Sequence, residues 1–416
     1  MLPFILSFAS LAALGLSFIA QAPRQPAELT PAPAKESDLR IRLDLVGRMP
    51  TKTNPTSPAV AGSQLLLIDQ SGYLYRWNEG TAAALITPKT LPPGVRLLGS
   101  EALLNVAADQ GGDRVYVLFV SATVPRDVPR QLSPREPDGW YLLFEYRFDG
   151  TTLSAPRPLT ALQMRSEGHL GGGLVVLNDG SVLVAIGDNG DSYEDGRGHG
   201  QDPKVHLAKL VHVVPSTGAT SIVGLGVRAP QRLVLDTIRG EQWITFVDPG
   251  GWVSEELNAI SVEALTNGSS PPNFGWGRNA KDGKAREGTF FIDSIGNSVA
   301  DAPAGEAGFV EPIGQIGRQR QEPFAISGPV HSRTSFTRIT ALFADLISGR
   351  LYAITGPIST PRQDVSLVSI AGDTQFEPGT GAANERPNPR FFNFPDGTAG
   401  VLLERTGEFY RIAEIP

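Results

Sequence analysis

One strand-turn-strand unit returns along the chain and constrains its fold more than any other feature. It reads as an aliphatic run, a turn containing Gly or Asp, and a second run with aromatics. The copies are LLLIDQSGYLYRW from Leu65, VAADQGGDRVYVLFV from Val106, LVVLNDGSVLVAIGD from Leu174, LVLDTIRGEQWITFVD from Leu233, LFADLISGRLYAITG from Leu342 and FNFPDGTAGVLLERTGEFYRI from Phe392. Each is a β-hairpin by turn chemistry. A lone hairpin is at best marginally stable in water, so such units must stack on one another. About six of them, at irregular spacings of roughly 40 to 110 residues, are what a β-propeller with long insertions gives. The expectation is an all-β, six-bladed β-propeller over residues 39–416. A two-sheet sandwich accounts for the strands locally but not for the recurrence. A propeller closes its ring by pairing strands from its two ends, and Leu39–Val46 (LRIRLDLV) and Gly407–Ile415 (GEFYRIAEI) are suitable partners.

Composition supports a turn-rich folded body. The 416 residues include 46 Gly and 34 Pro, which argues against long helices, while 41% hydrophobic and 19% charged residues argue against disorder. The formal net charge of −7 provides no basic field for nucleic acid. There is no Cys, hence no thiolate metal site, thiol nucleophile or disulfide. Leu2–Ala20 is apolar or small throughout, long for a signal-peptide core and just enough to span a bilayer. Ala20-Gln21-Ala22 offers a cleavage site, but Pro23 follows it and no Lys or Arg precedes the run. Residues 1–22 are therefore expected to be a signal peptide or a membrane anchor, and 23–38 a Pro-rich linker. The protein is expected to be exported, periplasmic or extracellular, with an N-terminal membrane tether left open.

The chemistry concentrates between Glu167 and Arg278. His169 precedes one strand of a hairpin and Asp188 follows the other. Antiparallel strands joined by a tight turn bring their outer ends together, which puts the pair within hydrogen-bond reach. A carboxylate that orients an imidazole makes it a better general base. Taken alone, a His before a Gly run is more often structural, and Asp188 in Gly-Asp-Asn-Gly can be a simple turn former. His199, His206 and His212 fit neither a helical metal pair nor a strand face. No Gly-x-Ser-x-Gly elbow, Walker loop or dinucleotide fingerprint occurs in a suitable context.

The segment GHLGGGLVVLNDGSVLVAIGDNGD resembles the His-x-Gly-Gly, Asp-Gly, Gly-Asp hairpin of the soluble glucose/sorbosone dehydrogenases that use pyrroloquinoline quinone (PQQ). GQDPKVHLAKLVHV, GVRAPQRLVLD, VDPGGWVSEELNAI and PNFGWG follow in the family's order, and GSEALLNVAADQGGDRVYVLFV resembles an upstream blade. That family is a six-bladed propeller.

The resemblance implies oxidation of a sugar or related alcohol, with PQQ and calcium as cofactors and an electron acceptor that the sequence does not specify. His169 would be the base, Asp188 its orienting carboxylate, and Arg228 the group that polarises the quinone oxygens. Gln231 would hydrogen-bond the cofactor, and the backbone carbonyls of Gly250 and Gly251 would hold calcium. The chain departs from the family pattern at Glu101, Gly168, Tyr193, Ala208 and Ala229, which makes the cofactor site degenerate. In place of a C-terminal Arg-x-Arg it has Arg386 and Arg390. Two other functions stay open: a non-catalytic propeller that binds glycans or protein, and a calcium-dependent lactonase-like propeller.

Overall fold

The computed structural model describes residues 31–49, 55–78, 81–99, 102–131, 137–190, 199–251, 253–277, 285–292, 298–301, 308–317, 325–372, 376 and 386–416. The fold is all-β and propeller-like, and the one α-helix among the described residues is the short Val262–Thr266. All six hairpins form as antiparallel pairs. The turn chemistry is visible in the third: Gly180 sits at φ 83°, and Asp179 Oδ1 accepts hydrogen bonds from the Ser181 amide and hydroxyl. The turn therefore needs a residue without Cβ beside an Asx-type acceptor.

Four of the sheets begin with the strands Pro55–Ala61, Leu103–Ala108, Gly171–Val176 and Val234–Ile238. A fifth sheet of eight strands consists of two four-stranded antiparallel runs. They begin at Ile326–Val330 and Pro389–Asn393 and are joined by a short parallel contact between Arg40–Arg48 and Ser366–Ile370. A three-stranded insertion, Ala285–Glu287, Phe290–Ile292 and Ser298–Asp301, forms a separate sheet, with Phe290 and Ile292 packed on Val253 and Trp276. The first strands touch in sequence round a closed ring, with Glu241–Asp248 making the contact to Ile326–Val330, and Pro389–Asn393 returns to Pro55–Ala61.

Apolar layers fill the spaces between sheets. One layer joins Leu66 and Ile68 to Val117, Phe119 and Leu142, and the next joins Leu118 and Tyr141 to Leu174 and Val184. The pattern continues through Leu183 with Phe246, Leu257 with Phe343, and Leu342 with Val401. Trp77, stacked on Phe409 with ring centroids 4.3 Å apart, completes the circuit. Each of the five larger sheets is thus packed on both faces, which explains why LLLI and VYVLFV read as continuous apolar runs rather than alternating ones.

The expected closure occurs. Arg40–Arg48 pairs antiparallel with Glu408–Ile415 in a register running from Arg40 opposite Ile415 to Arg48 opposite Glu408, with one bulge. The described end of the expected linker is held against the body: the Lys35 amide donates to Val365 O and Lys35 O accepts from the Leu367 amide. The N-terminal apolar run lies outside the described residues, as do parts of three polar, Gly-rich segments that the sequence suggests as loops: 191–198 of 188–201, 278–284 of 267–288, and 373–375 and 377–385 of 372–389. No helix among the described residues is long and apolar enough to cross a membrane.

Ile41 lies on the closing strand and is fully buried between the two halves of the eight-stranded sheet. Ile41→Ala is expected to lower the unfolding free energy by about 2–5 kcal/mol. Replacing its exposed neighbour Arg42 by Ala should change it by less than about 0.5 kcal/mol. Urea titration of both variants measures the difference.

Candidate active site

The third hairpin builds the site. Gly171 pairs with Ile186 at its open end, so the chain entering at His169 and leaving at Asp188 must cross at close range. Gly187 permits this crossing, since a Cβ there would lie 1.7 Å from His169 O. His169 itself takes a left-handed backbone conformation, φ 45°, uncommon for a residue with a side chain. His169 Nδ1 and Asp188 Oδ1 are 2.9 Å apart, as their positions on the hairpin predict.

Asp188 is almost fully buried and richly bonded. Its Oδ1 also accepts from the Gly190 amide at 2.9 Å, and its Oδ2 accepts from Trp276 Nε1 at 2.8 Å. Burial pushes its carboxyl up, but the hydrogen bond from His169 and the charge of Arg228 hold it below its ordinary value. On the far side of the imidazole, Arg228 Nη2 lies 2.8 Å from His169 Nε2. A guanidinium has only donors, so Nε2 is the acceptor and Nδ1 carries the proton donated to Asp188.

Arg228 is positioned by backbone and side chain together. Its amide and that of Ala229 donate to the two oxygens of Asp248, each at 2.8 Å, and its carbonyl accepts from the Asp188 amide at 2.8 Å. The guanidinium lies over the Trp276 ring, 5.3 Å from its centroid, and Nη1 donates to Pro249 O at 3.2 Å. The Nε of Arg228 is buried and has no hydrogen-bond partner among the described residues. Because Ala229 contributes only its amide, the departure at that position leaves the loop intact.

Trp276 is not singled out by the sequence, although the PNFGWG segment carrying it is. The segment is held by a reciprocal amide pair between Gln201 and Asn273 and by Gln201 Nε2 donating to Trp276 O at 2.7 Å. The departure at Ala208 also has a measurable consequence. Ala208 sits at φ 58°, a conformation suited to glycine, and its carbonyl accepts from the Gly226 and Val227 amides. Beside it the Lys209 ammonium is buried and donates to the carbonyls of His199, Gly200 and Leu207. Burial brings Lys209 down to about 7.

Gln231 lies further along the ring centre, where its side-chain oxygen accepts from Arg390 Nη1. Arg390 also donates through Nε to Glu404 Oε2 at 2.9 Å. Both residues line a cavity with Thr56, Ser57, Gln70 and Gly171. Arg390 is 159 residues from Gln231 in sequence, and the sequence singles it out only as a misplaced member of the Arg-x-Arg pattern. Gly250 and Gly251 follow Pro249 directly. A Cβ at Gly250 would strike Ser254 O, and one at Gly251 would lie 2.7 Å from Trp276, so the turn is packed against both. Glu287 caps it, accepting from the Val253 and Ser254 amides at 2.6 and 2.7 Å. The glycines at 172 and 173, in contrast, admit protein neighbours: Leu104 lies over Gly172, and Leu233 and Pro230 O over Gly173. Glu101 and Tyr193 lie outside the described residues. His199, His206 and His212 form no metal cluster, and none with three His, Cys, Asp or Glu exists among the described residues.

No protein-family model matches the chain, and no curated protein matches it. Solved structures do. The PQQ-bound aldose sugar dehydrogenase from Streptomyces coelicolor aligns with TM-score 0.60 and 18% identity, over 92% of this chain and 100% of that one. A putative oxidoreductase (glucose dehydrogenase) from Thermus thermophilus aligns with TM-score 0.59 and 16% identity, over 90% and 99%. The calcium structure of a Trichoderma reesei carbohydrate-active enzyme of family AA12 gives 0.56 and 14%, over 94% and 99%. The fold is therefore shared with PQQ-dependent sugar dehydrogenases, in line with the resemblance found in the sequence.

Behind Arg228 the buried carboxyls are crowded. Burial pushes Asp248 up to about 7, and burial together with the charge of Asp248 pushes Glu256 up to about 8. A folded-state pKa above the unfolded value stabilises at low pH, and the benefit is lost as pH rises through the folded pKa. The unfolding free energy is expected to fall between about pH 5 and pH 8, and Glu256→Gln should remove part of that fall. Denaturant unfolding at the two pH values, on wild type and variant, checks the sign.

Proposed function

We propose that the protein oxidises a sugar or related alcohol with PQQ and calcium, on a propeller of six blades. The blade count is supported by the closed ring of first strands and by the apolar layer between the two halves of the eight-stranded sheet. The single observation that carries the catalytic reading is the line Trp276, Asp188, His169, Arg228, in which an oriented imidazole meets a guanidinium.

The residues suit an acidic quinone. Arg228 retains a buried Nε without a hydrogen-bond partner among the described residues, and Arg390 and Gln231 border a polar cavity near the hairpin mouth. The carbonyls of Gly250 and Gly251 are hard oxygen donors, the kind calcium takes, on the turn next to Arg228. When bound, PQQ supplies the hydride acceptor. The protein does the rest. A substrate hydroxyl brought to His169 Nε2 takes the place of the Arg228 contact, and the imidazole accepts its proton. Asp188 stabilises the resulting imidazolium, and Trp276 holds the carboxylate in line. Arg228, released from the imidazole but kept over the indole, would be available to hold the negatively charged groups of a bound quinone. Export of the protein, with the apolar N-terminus as leader or tether, belongs to the same proposal, because a sugar-oxidising enzyme of this kind would work outside the cytoplasm.

Reconstitution with PQQ and calcium, followed by aldoses and an artificial electron acceptor, is expected to give dye reduction. His169→Gln should lower turnover by roughly 10²–10⁴-fold with little loss of PQQ binding. Neither PQQ binding nor dye reduction across a broad sugar panel would overturn the proposal.

A further inference from the structure

A second cavity adjoins the first and shares Ser57, Gln231 and Arg390 with it. Its walls include Ser57, Asn105, Arg232, Ser327, Arg390 and Phe391. The charges in it do not balance. Arg390 is neutralised by Glu404, itself only 5% exposed, with both Nε and Nη2 at 2.9 Å from the carboxylate. Arg232 meets no carboxylate among the described residues. Its hydrogen bonds there go to two backbone carbonyls, Pro329 at 3.2 Å and Pro58 at a long 3.5 Å. Burial alone lowers Arg232, to about 10, which leaves it charged at neutral pH. Two of the five N–H donors of its guanidinium are thus used, and the cavity is where the rest have access.

A partly buried cation without a counter-charge is costly, and the surroundings determine what can relieve it. The donors that line it are Arg232, from the loop before Val234–Ile238, and Arg390 and the Ser327 hydroxyl, from the two halves of the eight-stranded sheet; the Ser57 hydroxyl is engaged by Leu104 O. Donors set round a cavity of about 30 Å³ favour a small spherical acceptor over a large one. We propose that the channel holds one small inorganic anion of the halide class between Arg232 and Arg390. The anion completes the electrostatics of the ring centre and ties the sheet that follows Gln231 to the sheet that carries Arg390. The cavity shares Gln231 and Arg390 with the one proposed for the quinone, but the test reads Arg232 in the absence of quinone, so failure of this proposal is distinguishable from failure of the proposed oxidation.

The test compares melting temperatures of the purified chain in sodium chloride or bromide with those in sodium gluconate at equal ionic strength. A saturable rise on the order of 2 °C in the halide salts is expected, and Arg232→Met should abolish it. Equal melting in chloride and gluconate, or an undiminished rise in Arg232→Met, would overturn the proposal. Should that variant fail to fold, crystals of the wild-type protein soaked in bromide decide the matter. An anomalous peak between Arg232 and Arg390 supports the site, and an empty channel refutes it.

Discussion

Burial of the five larger sheets on both faces is the constraint on which the structure depends. A sheet whose two faces are apolar needs a neighbour on each side, and a stack that satisfies this for every member must close on itself. Closure is achieved twice over, by the backbone pairing of Arg40–Arg48 with Glu408–Ile415 and by the stacking of Trp77 on Phe409. Because the ring is closed, the first strands converge on one axis. The loops and strand ends that surround it can then carry side chains from distant parts of the sequence toward one place.

The candidate site uses this convergence to hold charge out of water. Asp188 is tolerated in the interior because three donors reach it: the imidazole, the Trp276 indole and the Gly190 amide. Asp248 performs a related task without touching His169, fixing the Arg228 loop by two amide hydrogen bonds. The cost is visible in the raised pKa values of Asp248 and Glu256, which sit close together behind the loop. Local rules are broken at the same place: His169 and Ala208 both occupy left-handed backbone conformations. Such strain persists only where the surroundings hold the chain firmly, as the hydrogen bonds around Ala208 do.

Much of this is legible in the sequence because it is local. The six hairpins follow from turn chemistry and apolar runs, and the neighbourhood of His169 and Asp188 follows from their places at the two ends of one hairpin. The closing pair is legible for a different reason: a ring of this kind leaves its terminal strands few other partners. Trp276 escapes notice because its tie to Asp188 spans 88 residues and passes between sheets. The Gln201–Asn273 amide pair and the Gln231–Arg390 contact are hidden in the same way. In the sequence the departures at Ala208 and Ala229 read as losses in the cofactor site. At Ala229 the structure uses only the backbone amide, and at Ala208 it accepts strain instead of glycine.

By itself the sequence determined the all-β class, the repeated unit, the terminal pair and the order of motifs. These depend on apolar runs, turn residues and, for the terminal pair, the few partners that a ring leaves its end strands. Tertiary structure decided which side chains share a charge, because hydrogen-bond partners across sheets depend on the angle between successive blades, and no local pattern encodes that angle. It was the ring that set His169 between a carboxylate and a guanidinium, and that left Arg232 in the channel without an acidic neighbour among the described residues.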